Sequence, residues 1–151
     1  MATIEQEIKQ QKKFGSEYEK LAVNIMFTSG WLYNLNAARF KKFDITPEQY
    51  NVLRILRGSF PKPMMLSDIT CRMLDKSSNA TRLVEKLRMK GYVKRELCPS
   101  NRRQVDIVVT EKGLSLLTKI DNESAEWENT LRGVTKTEAQ ELNRLLDKLR
   151  K

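Results

Sequence analysis

Apolar residues recur at helical spacing along most of the chain, and at a spacing of two over one short stretch. In residues 4–39, Ile4, Ile8, Tyr18, Leu21, Ile25, Leu32 and Leu35 fall at steps of three and four or their multiples. This spacing predicts a long amphipathic helix, with Gly15 and Gly30 as places for a bend or close packing. The pattern breaks at 40–44. A helix start follows at Ile45-Thr46-Pro47-Glu48-Gln49-Tyr50. Thr46 caps, Pro47 suits the first helical position, Gln49 closes a capping box, and Ile45 with Tyr50 forms a hydrophobic staple. Leu53 and Leu56 face inward, and the helix stops near Gly58. Residues 58–63 contain Gly58, Pro61 and Pro63 and predict a loop.

Ser67 is the expected cap of a short helix that turns Ile69, Met73 and Leu74 inward, and Asp75-Lys76-Ser77 is the turn after it. The next helix, 77–90, buries Ala80, Leu83, Val84 and Leu87, and Gly91 stands where a left-handed cap is expected. The period then becomes two. Residues 92–97 predict a strand, 98–103 a turn, and Val105, Ile107 and Val109 mark a return strand, making a two-stranded hairpin with a basic tip. Thr110 caps a helix with apolar Leu114, Leu117, Ile120, Trp127 and Leu131 that ends at Gly133. A second capping box, Thr135 with Glu138, opens a last helix lined by Leu142, Leu145, Leu146 and Leu149.

Helix, short helix, turn, helix and basic hairpin make a winged helix-turn-helix. The predicted fold is mainly α with a small β-hairpin wing, flanked by N- and C-terminal dimerisation helices. Residues 1–44 form the N-terminal dimerisation helix, 45–110 the winged region and 111–151 the C-terminal dimerisation helices, all in one compact protomer. The apolar stripes of the flanking helices exceed what the winged region can cover, which predicts a homodimer.

Charge sharpens this picture. The 151-residue chain carries a net charge of +9, and residues 47–110 hold 13 Lys/Arg against 6 Asp/Glu. That local excess is the footprint of a phosphate-binding surface. The outer face of helix 77–90 bears Ser77, Ser78, Thr81 and Arg82, with Lys86 further along. Such side chains suit a recognition helix that meets base edges. Arg102 and Arg103 at the hairpin suit a minor groove. The expected partner is double-stranded DNA; a module binding RNA or protein is the competing reading.

The chain has no histidine, only two cysteines (Cys71 and Cys98), and scattered glycines. The usual catalytic triads, histidine-containing zinc sites and phosphate loops are therefore not available, and no cofactor or enzymatic activity is expected. No run of about 18 apolar residues is present, and the polar start of the chain is unlike a secretory leader. A cytoplasmic protein without a membrane partner is expected.

Residues 75–87, Lys90-Gly91-Tyr92-Val93-Lys94-Arg95, Asn101-Arg102-Arg103 and Val109-Thr110-Glu111-Lys112-Gly113 resemble the MarR family signature, and 45–53 resembles the opening of that family's second helix. The resemblance spans roughly 45–113 and implies an obligate homodimer that binds inverted repeats, usually as a repressor, and in many members responds to a small aromatic acid or an oxidant. It implies DNA contacts from Lys76, Ser77, Ser78, Asn79, Thr81, Arg82, Lys86, Asn101, Arg102 and Arg103. The family usually has aspartate at Asn101, where it orients a wing arginine, and leucine at Val109. For a small aromatic ligand the candidate residues are Trp31, Tyr33, Met64 and Met65. For an oxidant they are Cys71 and Cys98, the latter among arginines that favour its thiolate. The family's peroxide sensors carry their cysteine in the first helix, where this chain has none.

Overall fold

The strongest start signal behaves as its chemistry requires. In a computed structural model that describes residues 1–151, the side chain of Arg102 excepted, the Thr46 hydroxyl accepts from Gln49 N, and the Gln49 amide oxygen accepts from Thr46 N, each at 3.1 Å. Gln49 is buried, so the capping box also satisfies a side chain with little access to water. The helix it opens, α3, is preceded by α1 (Ile4–Glu7) and α2 (Glu17–Lys41), and itself runs Pro47–Ser59. Val52, Leu53 and Leu56 of α3 lie at the centre of the core.

After α3 come β1 (Met64–Met65), α4 (Leu66–Arg72), α5 (Ala80–Met89), β2 (Val93–Cys98) and β3 (Asn101–Val109). The sheet is antiparallel in the order β1-β3-β2, with Met64 opposite Ile107 and Val93 opposite Val109. Ile69 and Met73 from α4, Ala80, Val84 and Leu87 from α5, and Val93, Ile107 and Val109 from the strands share one core with α3. The chain finishes with α6 (Glu111–Asp121), α7 (Ser124–Thr130) and α8 (Lys136–Leu149). The fold is a mainly helical winged helix with a small sheet.

Several boundaries differ from expectation. The helix predicted over 4–39 is broken. Lys9 adopts a left-handed φ of 53°, and Ser16 caps a new helix by accepting from Glu19 N at 3.1 Å. Gly30, by contrast, lies inside α2 with open space around it. The helix predicted over 111–133 is also broken, at Asn122 and Glu123, where Glu123 pairs at 2.6 Å with Lys42, the residue that caps the end of α2. The wing has a third strand, because Met64 and Met65 pair with β3. Ser67 does not cap α4; Met65 occupies the cap position without a side-chain bond. Leu74, expected inside, is 87% exposed.

The terminal helices leave apolar residues uncovered. Tyr18, Leu21, Met26 and Trp31 of α2 are exposed, as are Leu142, Leu145, Leu146 and Leu149 of α8. No helix is long and apolar enough to cross a membrane among the described residues.

Candidate nucleic-acid interface

The turn between α4 and α5 is tied down by short polar side chains. Asp75 Oδ1 accepts from Ser77 N at 2.9 Å and from Ser77 Oγ at 2.6 Å. The Ser77 hydroxyl is the main reason the Asp75 carboxyl is held below its usual range. With Ser77 engaged this way, the helix cannot begin there. Asn79 caps instead, its Oδ1 accepting from Arg82 N at 3.1 Å, and α5 starts at Ala80. Ser77 and Ser78 therefore lie in the turn before the recognition helix, not on the outer face of a helix 77–90.

Ala80, Val84 and Leu87 hold α5 against the core, which leaves Thr81, Arg82 and Lys86 exposed. Among the described residues Arg82 has no acidic partner, so its guanidinium remains available for an anion or a guanine edge. Lys76 is placed differently: its ammonium donates to the Cys71 carbonyl, which turns it back onto the end of α4.

The hairpin turn is shorter than predicted. Only Pro99 and Ser100 separate β2 from β3, which puts Arg102 and Arg103 at the start of β3. Asn101 Oδ1 accepts from Arg103 N at 3.1 Å, a bond a neutral amide makes as well as a carboxylate. Arg103 is exposed; the Arg102 side chain lies outside the described residues. The Cys98 thiol is lowered, chiefly by the Ser100 hydroxyl 3.1 Å away and then by backbone groups, while Asp106 opposes the shift. Among the described residues, this serine replaces the arginines as the cause. Cys71 is exposed on α4.

Sequence reasoning passed over one residue that joins the two reading elements. Glu85 of α5 accepts from Arg88 at 2.6 Å and from Arg95 of β2 at 2.5 Å. Helix and wing are thereby linked through one carboxylate, which Arg88 holds below its usual range. The i, i+3 spacing of Glu85 and Arg88 was a readable signal; the wing partner was not.

Behind α5 is an open groove of about 860 Å³ between α2, the start of α3 and the end of α5. Tyr33, Ala37, Ala38 and Met89 provide apolar surface, Lys41, Lys86 and Lys90 provide positive charge, and Asp44 offsets Lys90 from 3.4 Å. The Tyr33 hydroxyl donates to Glu48 at 2.8 Å, which raises its pKa and keeps it protonated. Of the four expected ligand residues only Tyr33 lines the groove. Met64 is buried in β1, and Trp31 and Met65 are exposed elsewhere.

The MarR family model matches residues 45–105, which span α3 through most of the wing. The HTH-type transcriptional repressor IacR of Pseudomonas putida is 27% identical over 117 residues, covering 76% of this chain and 69% of that protein. A MarR transcription factor from Planctomyces limnophilus is similar in structure, with 29% identity, a TM-score of 0.69, and coverage of 89% of this chain and 98% of that one. A mutant MarR from E. coli complexed with operator DNA shares the fold at a TM-score of 0.76 and 22% identity, covering 91% and 99% of the two chains. Signature, topology and these likenesses agree: over residues 45–105 the chain matches the MarR family, and it is similar in sequence and structure to transcriptional regulators.

Proposed function

We propose that this protein is a homodimeric transcriptional repressor of the MarR type that binds a pseudo-palindromic duplex and releases it when an aromatic carboxylate enters the groove behind α5. The observation that carries the DNA reading is the capped N-terminus of α5, which presents Thr81 and an Arg82 without an acidic partner among the described residues, beside a wing in which β3 begins with Asn101, Arg102 and Arg103. Ser77, Ser78, Asn79, Thr81 and Arg82 meet the major groove, Lys86 a phosphate, and the wing arginines the minor groove. Lys76 contributes by stiffening the turn.

Selection of bound sequences from a random duplex pool tests this. It is expected to enrich an inverted repeat with half-sites about 34 Å apart, and affinity for it should fall steeply with salt as counterions are released. Enrichment of a single asymmetric site, or tighter binding to RNA, would overturn the reading.

The ligand reading rests on charge and position. The groove combines an apolar floor with three lysines; Asp44 pairs with Lys90, and Lys86 also faces outward from the recognition helix. A bound organic anion and a DNA phosphate then compete for the same ammonium. Millimolar benzoate-class acids are expected to loosen the duplex complex of the parent protein. Ala38→Phe, which fills the groove from α2, should bind DNA normally and lose that response. Equal sensitivity of both proteins would remove the groove from the mechanism.

A further inference from the structure

We infer that Asn51, on the helix behind the recognition turn, is a positioning residue for sequence discrimination; the inference rests on the DNA-binding reading above. Met73 and Ala80 bury the two ends of the turn in the core. Between them the chain has little apolar anchorage, since Leu74 points into solvent. Polar bonds must therefore set the orientation of 74–79. Most of them are internal or local: Asp75 holds Ser77, Asn79 holds the first turn of α5, and Lys76 reaches back to Cys71 on α4. Among the described residues, one side-chain hydrogen bond joins this segment to α3. Leu74 N donates to Asn51 Oδ1 at 2.9 Å, across 23 positions of sequence.

Asn51 is well placed to act as a reference point. The next two residues, Val52 and Leu53, are fully buried, so the helix carrying it cannot shift without disturbing the core. With the bond made, Ser77, Ser78 and the Asn79 cap approach the duplex at a fixed height and angle. Base-edge hydrogen bonds weaken steeply with misalignment, whereas attraction to phosphates acts over a longer range. Loss of the Asn51 bond should consequently reduce discrimination between sequences more than it reduces general attraction to DNA.

The test compares three full-length proteins: the parent, Asn51→Leu, which removes the acceptor at similar volume, and Asn51→Asp, which keeps it. Each is titrated with the duplex the parent selects and with a shuffled duplex of equal length. The ratio of the two affinities should fall about fivefold in Asn51→Leu, with the dimer intact and the unfolding midpoint lowered by no more than one lost hydrogen bond accounts for. Asn51→Asp should restore the ratio, because its extra negative charge weakens both duplexes alike and cancels. If Leu is poorly tolerated on α3, Asn51→Ala should show the same fall. An unchanged ratio in the variants lacking the acceptor, or failure of Asn51→Asp to restore it, overturns the inference. A parent that selects no duplex overturns the proposed function and this inference with it.

Discussion

Gly113→Ala should destabilise the protein by about 3 kcal/mol, at the upper end of the cost of forcing a methyl into a packed interior. A β-carbon there would meet the Tyr92 carbonyl oxygen at 2.4 Å and Val109 Cγ2 at 2.7 Å. Neither neighbour can give way cheaply. The Tyr92 oxygen already accepts from Thr110 N at 3.0 Å, and Val109 is buried in β3. The start of α6 is also fastened to the link between recognition helix and wing. Thr110 Oγ1 donates to the Gly91 carbonyl at 2.7 Å, and Lys112 donates to the Lys90 carbonyl at 2.8 Å. An added methyl therefore pushes α6 away from the segment that connects α5 to the wing, and, on the proposed function, DNA affinity should fall together with the urea midpoint. Gly58→Ala is the control. It lies within α3 with nothing nearby, so alanine should stabilise by about 0.5–1 kcal/mol. A neutral Gly113→Ala would show that α6 can slide off Tyr92 freely.

The glycine that closes the family signature thus has a steric reason that spacing alone could not reveal. What was legible in the sequence was local. Thr46 with Gln49 and Thr135 with Glu138 form their capping boxes as spaced, and the apolar period of α5 leaves Arg82 and Lys86 outside. Misplaced boundaries have tertiary or competing local causes. Ser77 has the chemistry of a cap, but Asp75 occupies its hydroxyl, and Asn79 caps two residues later. The break after α6 coincides with an ion pair between Glu123 and Lys42, 81 residues apart. Two residues of β1 contain no period at all, so only the ladder to Ile107 and Asp106 identifies them as a strand. The bonds between Asn51 and Leu74 and between Glu85 and Arg95 were hidden for a related reason: no local period links the partners, which only the folded chain brings together.

Leu145→Glu together with Leu149→Glu should convert a dimer into a monomer and take specific DNA binding with it. None of the residues of α8 is buried within the protomer, although leucines recur along one face of its 14 residues. A helix of that length is marginal without tertiary packing, so its apolar face calls for a partner, and a second copy presents the same face under two-fold symmetry. Leu145 and Leu149 are 45% and 53% exposed in the protomer. Their remaining burial in a dimer is worth about 1 kcal/mol each. Two substitutions per copy alter four side chains, a loss of about 4 kcal/mol, or about a thousandfold in the dimer dissociation constant. The winged region should survive, because neither leucine belongs to its core. Sedimentation should therefore show the parent at twice 17.6 kDa and the variant at 17.6 kDa. Affinity for an inverted repeat should collapse towards that of one half-site, while weak, salt-sensitive binding to any duplex persists, since the basic face of each protomer is untouched. A variant that still sediments as a dimer would move the two-fold contact away from α8, leaving the exposed Tyr18, Leu21, Met26 and Trp31 of α2 to form it.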